Sequence, residues 1–553
     1  MSANVYSKIS RLLPGILLAV IVGLGSALTV ATSMQKEDLH IDETYSYILS
    51  NSHDADRISS DDSVWGQWVP GERFLDFVTV SDGEQFDYGT VYCNNTKDAH
   101  PPLYYFLLHT VCSLFPDSFS VWYGIGLNIL FTAIALVLLY LCGREVVGRW
   151  WALVPVALWA GSAVCVDSTM FIRMYALLGL WTAALSLLIV RAWRHGLSAG
   201  RIAGMAAVVF LGVFTQYYFA VFAFYLCLAF GIHLLAKKDV KGALAFGLSA
   251  IAAVVLVFVV YPAGITQITG SETNNIGNEV FQGGALLDFS QLVHSAASMA
   301  LQLVYLLCHG LLAAKIAVAL AGIGFLVALA IRLRSKSTAK SARNAEALRL
   351  GTVGLAVFVL AFVTIAHISK SFSYVRYVYS LVPFGALALT AFVRGAIPDE
   401  GISRLACTGL LCIAAIAFAG NAISPVGTYL FKQSDTSRQV EAAVEDAAVV
   451  MVTPRTTYIP TSNLWRLAEA ERVLLITEEE LDGIDGFMES SPHEGSFVLF
   501  IATDQDWHAC YDAEEVMQKI ESSSSTSLRF EPLGQQSFCE VYSVNTAAGE
   551  DAA

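Results

Sequence analysis

Charge is what this chain has least of. Only 14% of its 553 residues are Asp, Glu, Lys or Arg, where a soluble protein of this size carries roughly a quarter. That excludes an ordinary soluble domain. Ten cysteines and eleven histidines are present, yet nowhere are they spaced as metal ligands. No basic patch interleaved with aromatics lies on a polar stretch, which argues against nucleic acid as a partner. No repeat of fixed period is visible. The first apolar run, residues 12–32, follows Lys8 and Arg11 as a signal peptide would. It is too long for a signal core and no small-x-small cleavage site follows it, so it reads as a retained first helix with a cytoplasmic N-terminus.

What the chain does have is apolar sequence, 55% of it. Charge-free runs of about twenty residues recur, the length that crosses a bilayer as a helix. Crossings are expected at 12–32, 121–142, 150–166, 174–193, 202–216, 217–236, 243–262, 314–333, 350–368, 377–394 and 403–424. The fold class is therefore an all-α polytopic membrane protein of about eleven helices.

The net charge of −14 is unevenly spread. Basic residues gather in short loops: Arg144 with Arg149; Arg191, Arg194 and Arg201; Lys237, Lys238 and Lys241; the group from Arg332 to Arg349; then Arg394 and Arg404. The positive-inside rule makes these loops cytoplasmic. The acidic stretches 37–98 and beyond 425 then lie outside. This divides the chain into a transmembrane module, 1–424, and an extracytoplasmic domain, 425–553. The module has two large external loops, 33–120 and 263–313. A further crossing at 285–313 would put the densest basic cluster outside, so that segment reads as interfacial or re-entrant. Residues 101–115, apolar and aromatic but short, read as a helix along the outer membrane face.

In 425–553, apolar runs at 448–452, 472–477, 496–502 and 538–544 alternate with polar helical stretches, the pattern of a small α/β domain. Seven cysteines fall in or beside apolar spans as small hydrophobes. Cys510 and Cys539 share the outer domain and are the pair that can form a disulfide.

Charged groups at a membrane are costly unless paired or used. On the outer side they are few: Asp42 and Glu43, His100, Asp167 and Arg173, Lys370 and Arg376. The polar and aromatic residues Gln216, Tyr217, Tyr218, Tyr374 and Tyr377 share that side. A bundle would gather several of them. A carboxylate can take the proton of a hydroxyl acceptor. A guanidinium suits a phosphate, to which it donates paired hydrogen bonds. Fixed arginines stabilise the charge that grows on a departing lipid phosphate without a metal. Tyr104, Tyr105, Tyr217 and Tyr218 can line a sugar or prenyl chain.

Ordered along the chain are Ile41-Asp42-Glu43-Thr44-Tyr45 and His100-Pro101-Pro102-Leu103-Tyr104-Tyr105, then Phe171-Ile172-Arg173-Met174-Tyr175-Ala176-Leu177. Gln216-Tyr217-Tyr218-Phe219-Ala220 and Tyr374-Val375-Arg376-Tyr377 follow. This set resembles the GT-C glycosyltransferases, in particular bacterial relatives of protein O-mannosyltransferases and of the lipid A aminoarabinose transferase. The resemblance covers roughly residues 10–395. It implies an inverting transfer of one sugar from a polyprenyl-phosphate donor to a hydroxyl of a protein, lipid or glycan acceptor, at the outer face of a bacterial inner membrane. It implies Asp42 as catalytic base and Glu43 as its support or an acceptor contact. Arg173 and Arg376 become the donor-phosphate ligands, and His100, Tyr104, Tyr105, Gln216, Tyr217, Tyr218 and Tyr377 line the pocket. No cofactor is required; a divalent cation bridging Asp42 or Glu43 to the phosphate is the alternative. Relatives often carry His where Gln216 stands, which puts proton handling there in doubt.

Plainer readings stand beside these. Asp42-Glu43 can be the solvated start of a loop helix, Arg173 a snorkelling anchor, and His100-Pro101-Pro102 a rigid turn. Asp167 reads best as a cap for the loop before the fourth span. A carrier of lipid-linked sugars is the rival function; it calls for repeat symmetry, broken helices and ionisable groups near the bilayer midplane.

Overall fold

The computed structural model describes residues 3–53, 58–269, 289–307, 342–369, 374–397, 399–489, 496–503 and 510–546. The expected span at 314–333 and Lys370 lie outside them. The chain forms two compact units. A helical unit comprises Met1–Gln35, Asp98–Tyr104 and Gly124–Leu430, and a sheet unit Lys36–Lys97, Tyr105–Tyr123 and Phe431–Ala553.

Eight helices among the described residues are long and apolar enough to cross a membrane: Leu12–Ser33, Val121–Val146, Tyr175–His195, Phe219–Ala236, Val240–Val260, Ala342–Ile368, Val375–Ala396 and Glu400–Ile423. A bent pair, Leu153–Ala160 and Ala163–Met170, which meet at 62°, is apolar enough for a ninth span when its two arms are taken together. The protein is thus a multi-pass membrane protein. Ala199–Val213, where a further span was expected, has only 15 residues.

Burial separates the helices by role. Val240–Val260 is apolar all round and only 17% buried, so its surface suits lipid; Tyr175–His195 is 72% buried and runs through the middle of the bundle. Helices 342–368 and 382–396 pack backbone to backbone at small residues. A Cβ at Gly351 would lie 2.3 Å from Phe392 N, and one at Gly395 2.3 Å from Leu348 N. Such close approach is how apolar helices associate where burial from water cannot drive them together. Among the described residues of 285–313 is the helix Phe289–Leu307, buried on one side at Ser295, Met299 and Leu306 and exposing the apolar Val293, Leu301 and Tyr305 on the other.

The basic residues gather at one end of this unit. Arg194 lies 3.3 Å from Glu145 and 3.5 Å from Glu346, while Arg349 Nη2 lies 3.1 Å from His233 Nδ1. Helices 121–146, 175–195, 219–236 and 375–396 all reach this end with their C-terminal residues.

The sheet unit is built on six strands: β1 (Trp68–Pro70), β2 (Ala448–Val452), β3 (Arg472–Ile476), β4 (Ser496–Ala502), β5 (Leu528–Gln536) and β6 (Cys539–Thr546). Their order is β1-β3-β2-β4-β6-β5. β2 pairs parallel with β3 and β4; the other pairings are antiparallel. Every residue of β2 is buried, as a central strand covered on both faces must be, which explains its uninterrupted apolar run.

The boundary between the units differs from the expected division at 424. The first loop does not belong with the helices. Its residues 36–97 and 105–123 cluster with the C-terminal region, because β1 adds an edge strand along β3 through Trp68 opposite Leu474. Trp465 Nε1 also donates to Thr44 Oγ1 at 3.0 Å. The expected Cys510–Cys539 bridge is not formed, and Cys539 is a buried thiol.

Candidate active site

The candidate residues fall in both units, and the set in the helical unit begins at the bent span. Its break at Gly161-Ser162 is closed by polar groups. Ser162 Oγ accepts from Cys165 N at 3.2 Å, and Asn421 Nδ2 donates to Gly161 O at 2.7 Å. Backbone freed inside a membrane is tolerated only where protein satisfies it in this way. The second arm carries Asp167 to a fully buried position. There its Oδ2 accepts from Tyr379 OH at 2.5 Å and its Oδ1 from Tyr429 N at 2.9 Å. Gly427 permits this, since a Cβ there would stand 2.8 Å from Asp167 Oδ1. Asp167 is therefore no loop cap: it ties the late helix and the segment after the last span onto the bent one.

Arg376 is buried beside this knot. Its Nη1 donates to Tyr429 OH at 3.1 Å. Its Cζ lies 4.3 Å from the Tyr374 ring centroid, 5.6 Å from Tyr377 and 5.8 Å from Phe171. Phe171 in turn stacks on Tyr429 at 3.7 Å. Three aromatic rings thus flank the guanidinium, each contact worth about 0.5–2 kcal/mol according to its exposure. Burial pushes the Tyr429 phenol well above its ordinary pKa, with Arg376 partly countering, so the hydroxyl stays protonated. Arg173 follows two residues after Phe171 and is also buried; its backbone N bonds Phe171 O at 2.7 Å, which also accepts from Asn128 at 2.8 Å.

The remaining members of this set join it through ring contacts and hydrogen bonds. Tyr218 lies 5.1 Å from Tyr377, ring to ring. The neighbouring Tyr217 donates to Gln267 Oε1 at 2.6 Å, and Gln267 Nε2 donates to Asp98 O at 2.6 Å. Asp98 Oδ2 lies 2.9 Å from His100 Nδ1. Burial raises the Tyr217 hydroxyl as well, so it acts as a neutral donor. Gln216 is turned inward, its Oε1 accepting from Tyr217 N at 2.7 Å. Tyr104 is wholly buried. These side chains therefore share one end of the unit, opposite the basic end.

The sheet-unit set lies on helix Ile41–Asn51. His40 is its N-cap: Nδ1 accepts from Asp42 N at 3.0 Å, and Glu43 Oε2 reaches back to His40 N at 2.8 Å. Because that ring nitrogen is an acceptor, its 3.7 Å approach to Asp42 Oδ2 is not a hydrogen bond. Glu43 is wholly buried and also pairs with Lys36 Nζ at 2.8 Å. Asp42, one residue earlier, keeps 23% of its side chain open and sits in the first helical turn, where the backbone dipole favours an anion. Tyr105 is wholly buried in the same unit.

Sequence reasoning missed Gln267 and Tyr429. Each is a lone polar residue outside any motif, and only the folded chain shows what they bond. Among the described residues, no three His, Cys, Asp or Glu side chains converge as metal ligands.

No family model matches the chain, and no curated protein does. Among solved structures, it is similar to ArnT from Cupriavidus metallidurans bound to undecaprenyl phosphate, at 12% identity and a TM-score of 0.37 over 95% of this chain and 98% of that one. It is similar to the archaeal oligosaccharyltransferase AglB from Archaeoglobus fulgidus in complex with an inhibitory peptide and a dolichol-phosphate, at 12% identity and a TM-score of 0.43, covering 99% and 75%. It is also similar to the arabinofuranosyltransferase AftD from Mycobacteria, at 14% identity and a TM-score of 0.38, covering 97% and 42%.

Proposed function

We propose that this protein is an inverting membrane glycosyltransferase that moves one sugar from a polyprenyl-phosphate donor to a hydroxyl acceptor. The observation that carries the reading is Arg376, buried, fixed by Tyr429 and flanked by Phe171, Tyr374 and Tyr377, with Arg173 two residues beyond Phe171. A rigid guanidinium in an aromatic setting suits an anionic headgroup carried on an apolar chain.

In this reaction the acceptor hydroxyl gives its proton to Asp42 as its oxygen attacks the anomeric carbon. The bond from that carbon to the phosphate oxygen breaks, and the electron pair leaves with the lipid phosphate. Arg173 and Arg376 stabilise the added charge, which needs no reorganisation because they are already fixed. Glu43, locked by Lys36 and by the helix cap, acts as a positioning residue for Asp42 rather than as an acceptor contact. No metal is required, and a divalent cation remains the alternative to test by chelation. The basic end of the helical unit faces the cytoplasm by the charge rule; the opposite, candidate end of that unit then faces outward, in a bacterial inner membrane.

One observation favours a second reading, a carrier of lipid-linked sugars: the bent span, a feature of transporters. Reconstituted vesicles separate the two. With a polyprenyl-phosphate sugar and an outer acceptor, the first reading expects transfer that Asp42→Asn abolishes while donor binding persists. Translocation of the intact glycolipid without transfer would establish the carrier instead.

A further inference from the structure

Arginines line a cavity at the basic end of the helical unit that the sugar-transfer reading does not use. We propose that it holds the phosphodiester headgroup of an anionic membrane phospholipid. The cavity measures about 650 Å³ and is lined, among the described residues, by Arg149, Arg343, Arg394 and Arg404 with one carboxylate, Glu400. Glu400 Oε1 pairs with Arg394 Nη2 at 2.7 Å, so the acid is already engaged by one of the four arginines.

The wall is built to hold this shape. Trp151 Nε1 donates to Ser403 Oγ at 3.1 Å. Gly148 takes φ +90°, a backbone conformation that favours glycine, and the Arg343 guanidinium lies against it.

Position selects a lipid over a soluble anion. The cavity opens where helix 121–146 ends and helix 400–423 begins, at the level where span ends meet headgroups. Trp150, 45% exposed on its rim, is the kind of side chain that settles in that layer. Cys407 and Leu411 line the cavity beyond Arg404 on the same helix and give an acyl chain an apolar path away from the headgroup. Basic pockets between membrane helices recognise anionic headgroups in this way.

The test uses the full-length protein in neutral detergent, titrated with dioleoyl phosphatidylglycerol and followed by native mass spectrometry. Dioleoyl phosphatidylcholine and inorganic phosphate are parallel arms. The expected result is retention of phosphatidylglycerol that Arg149→Ala/Arg404→Ala weakens by roughly 30-fold, two surface cations' worth. Lys237→Ala/Lys238→Ala, at the same end but outside the cavity, should change it less than about threefold. Equal weakening by both double variants would overturn the site in favour of diffuse charge. Retention of phosphatidylcholine as tight as that of phosphatidylglycerol would overturn the anionic preference. Inorganic phosphate binding as tightly as the lipid would overturn the lipid assignment.

Discussion

Lys36 Nζ lies 2.8 Å from Glu43 Oε2, with the two side chains only 3% and 0% exposed. The same carboxylate oxygen accepts from His40 N. One buried oxygen therefore closes the helix cap and neutralises a buried cation, and Asp42 stands between the two residues that do this. Removing one partner of a buried pair costs about 3–5 kcal/mol, because the other charge is left uncompensated. Lys36→Met and Glu43→Gln should each destabilise the protein by that order in denaturant unfolding. The double variant should cost less than the sum, and strict additivity would show that the two groups do not act as a pair.

Asp42 and Glu43 differ in a way that kinetics can separate. Asp42→Asn leaves the cap intact and should lower kcat by about 10²–10⁴, the range for removing a general base, with the unfolding midpoint unchanged. Glu43→Gln should lower stability and kcat together. An Asp42→Asn enzyme with normal turnover would remove the base from the mechanism.

Eight of the expected spans, and which of their ends carries the basic residues, were legible in the sequence because apolar length and loop charge are local properties. The central strands of the sheet were legible too: 448–452, 472–476 and 496–502 are continuous apolar runs. What escaped was long-range. β1 is three residues with a proline and has no periodicity of its own; its strand character comes from β3, some four hundred residues later. β5 is largely exposed, so no apolar pattern announced it. Asp167 looked like a loop cap because its partners, Tyr379 and Tyr429, lie more than two hundred residues away in sequence. Arg173 and Arg376 were found by motif; the aromatic flank of Arg376 needed the fold.

The bond from Arg376 to Tyr429 gives a graded test of the proposed phosphate site. Arg376→Lys keeps the charge but loses the planar fork, and a hydrogen bond to a charged group is worth about 1.5–3 kcal/mol. Donor affinity should therefore fall by roughly 10- to 150-fold. Tyr429→Phe removes only the acceptor that orients the guanidinium and should cost about tenfold or less. Donor binding to Arg376→Lys indistinguishable from wild type would exclude this arginine as a phosphate ligand.

Gly427 reports on the knot around Asp167. Alanine there places a methyl 2.8 Å from Asp167 Oδ1, so the segment carrying Tyr429 must move. Crowding of this kind costs about 1–3 kcal/mol. Because Tyr429 also holds Arg376, Gly427→Ala should weaken donor binding as well as stability. A loss of stability with donor affinity intact would show that the two bonds are not mechanically linked.

His109 sets a pH dependence in the sheet unit. Its ring is buried, with Nδ1 3.4 Å from Asn51 Oδ1. Burial lowers its pKa below the ordinary value of about 6.5, while Asp87 and Glu84 pull weakly the other way. Between the lowered folded value and 6.5 the unfolded chain binds a proton that the folded chain does not, so stability rises with pH across that window. Acidification therefore removes stability from about pH 6.5 downward, until His109 protonates in the fold as well. Asp38 and Glu469, whose pKa values burial raises, act oppositely. They hold protons more tightly in the fold, so their contribution grows as pH falls. Melting temperatures of the wild type and of His109→Gln from about pH 8 to about pH 5 isolate the histidine. The wild type should lose more on acidification than the variant, and parallel curves would show that His109 does not titrate against the fold.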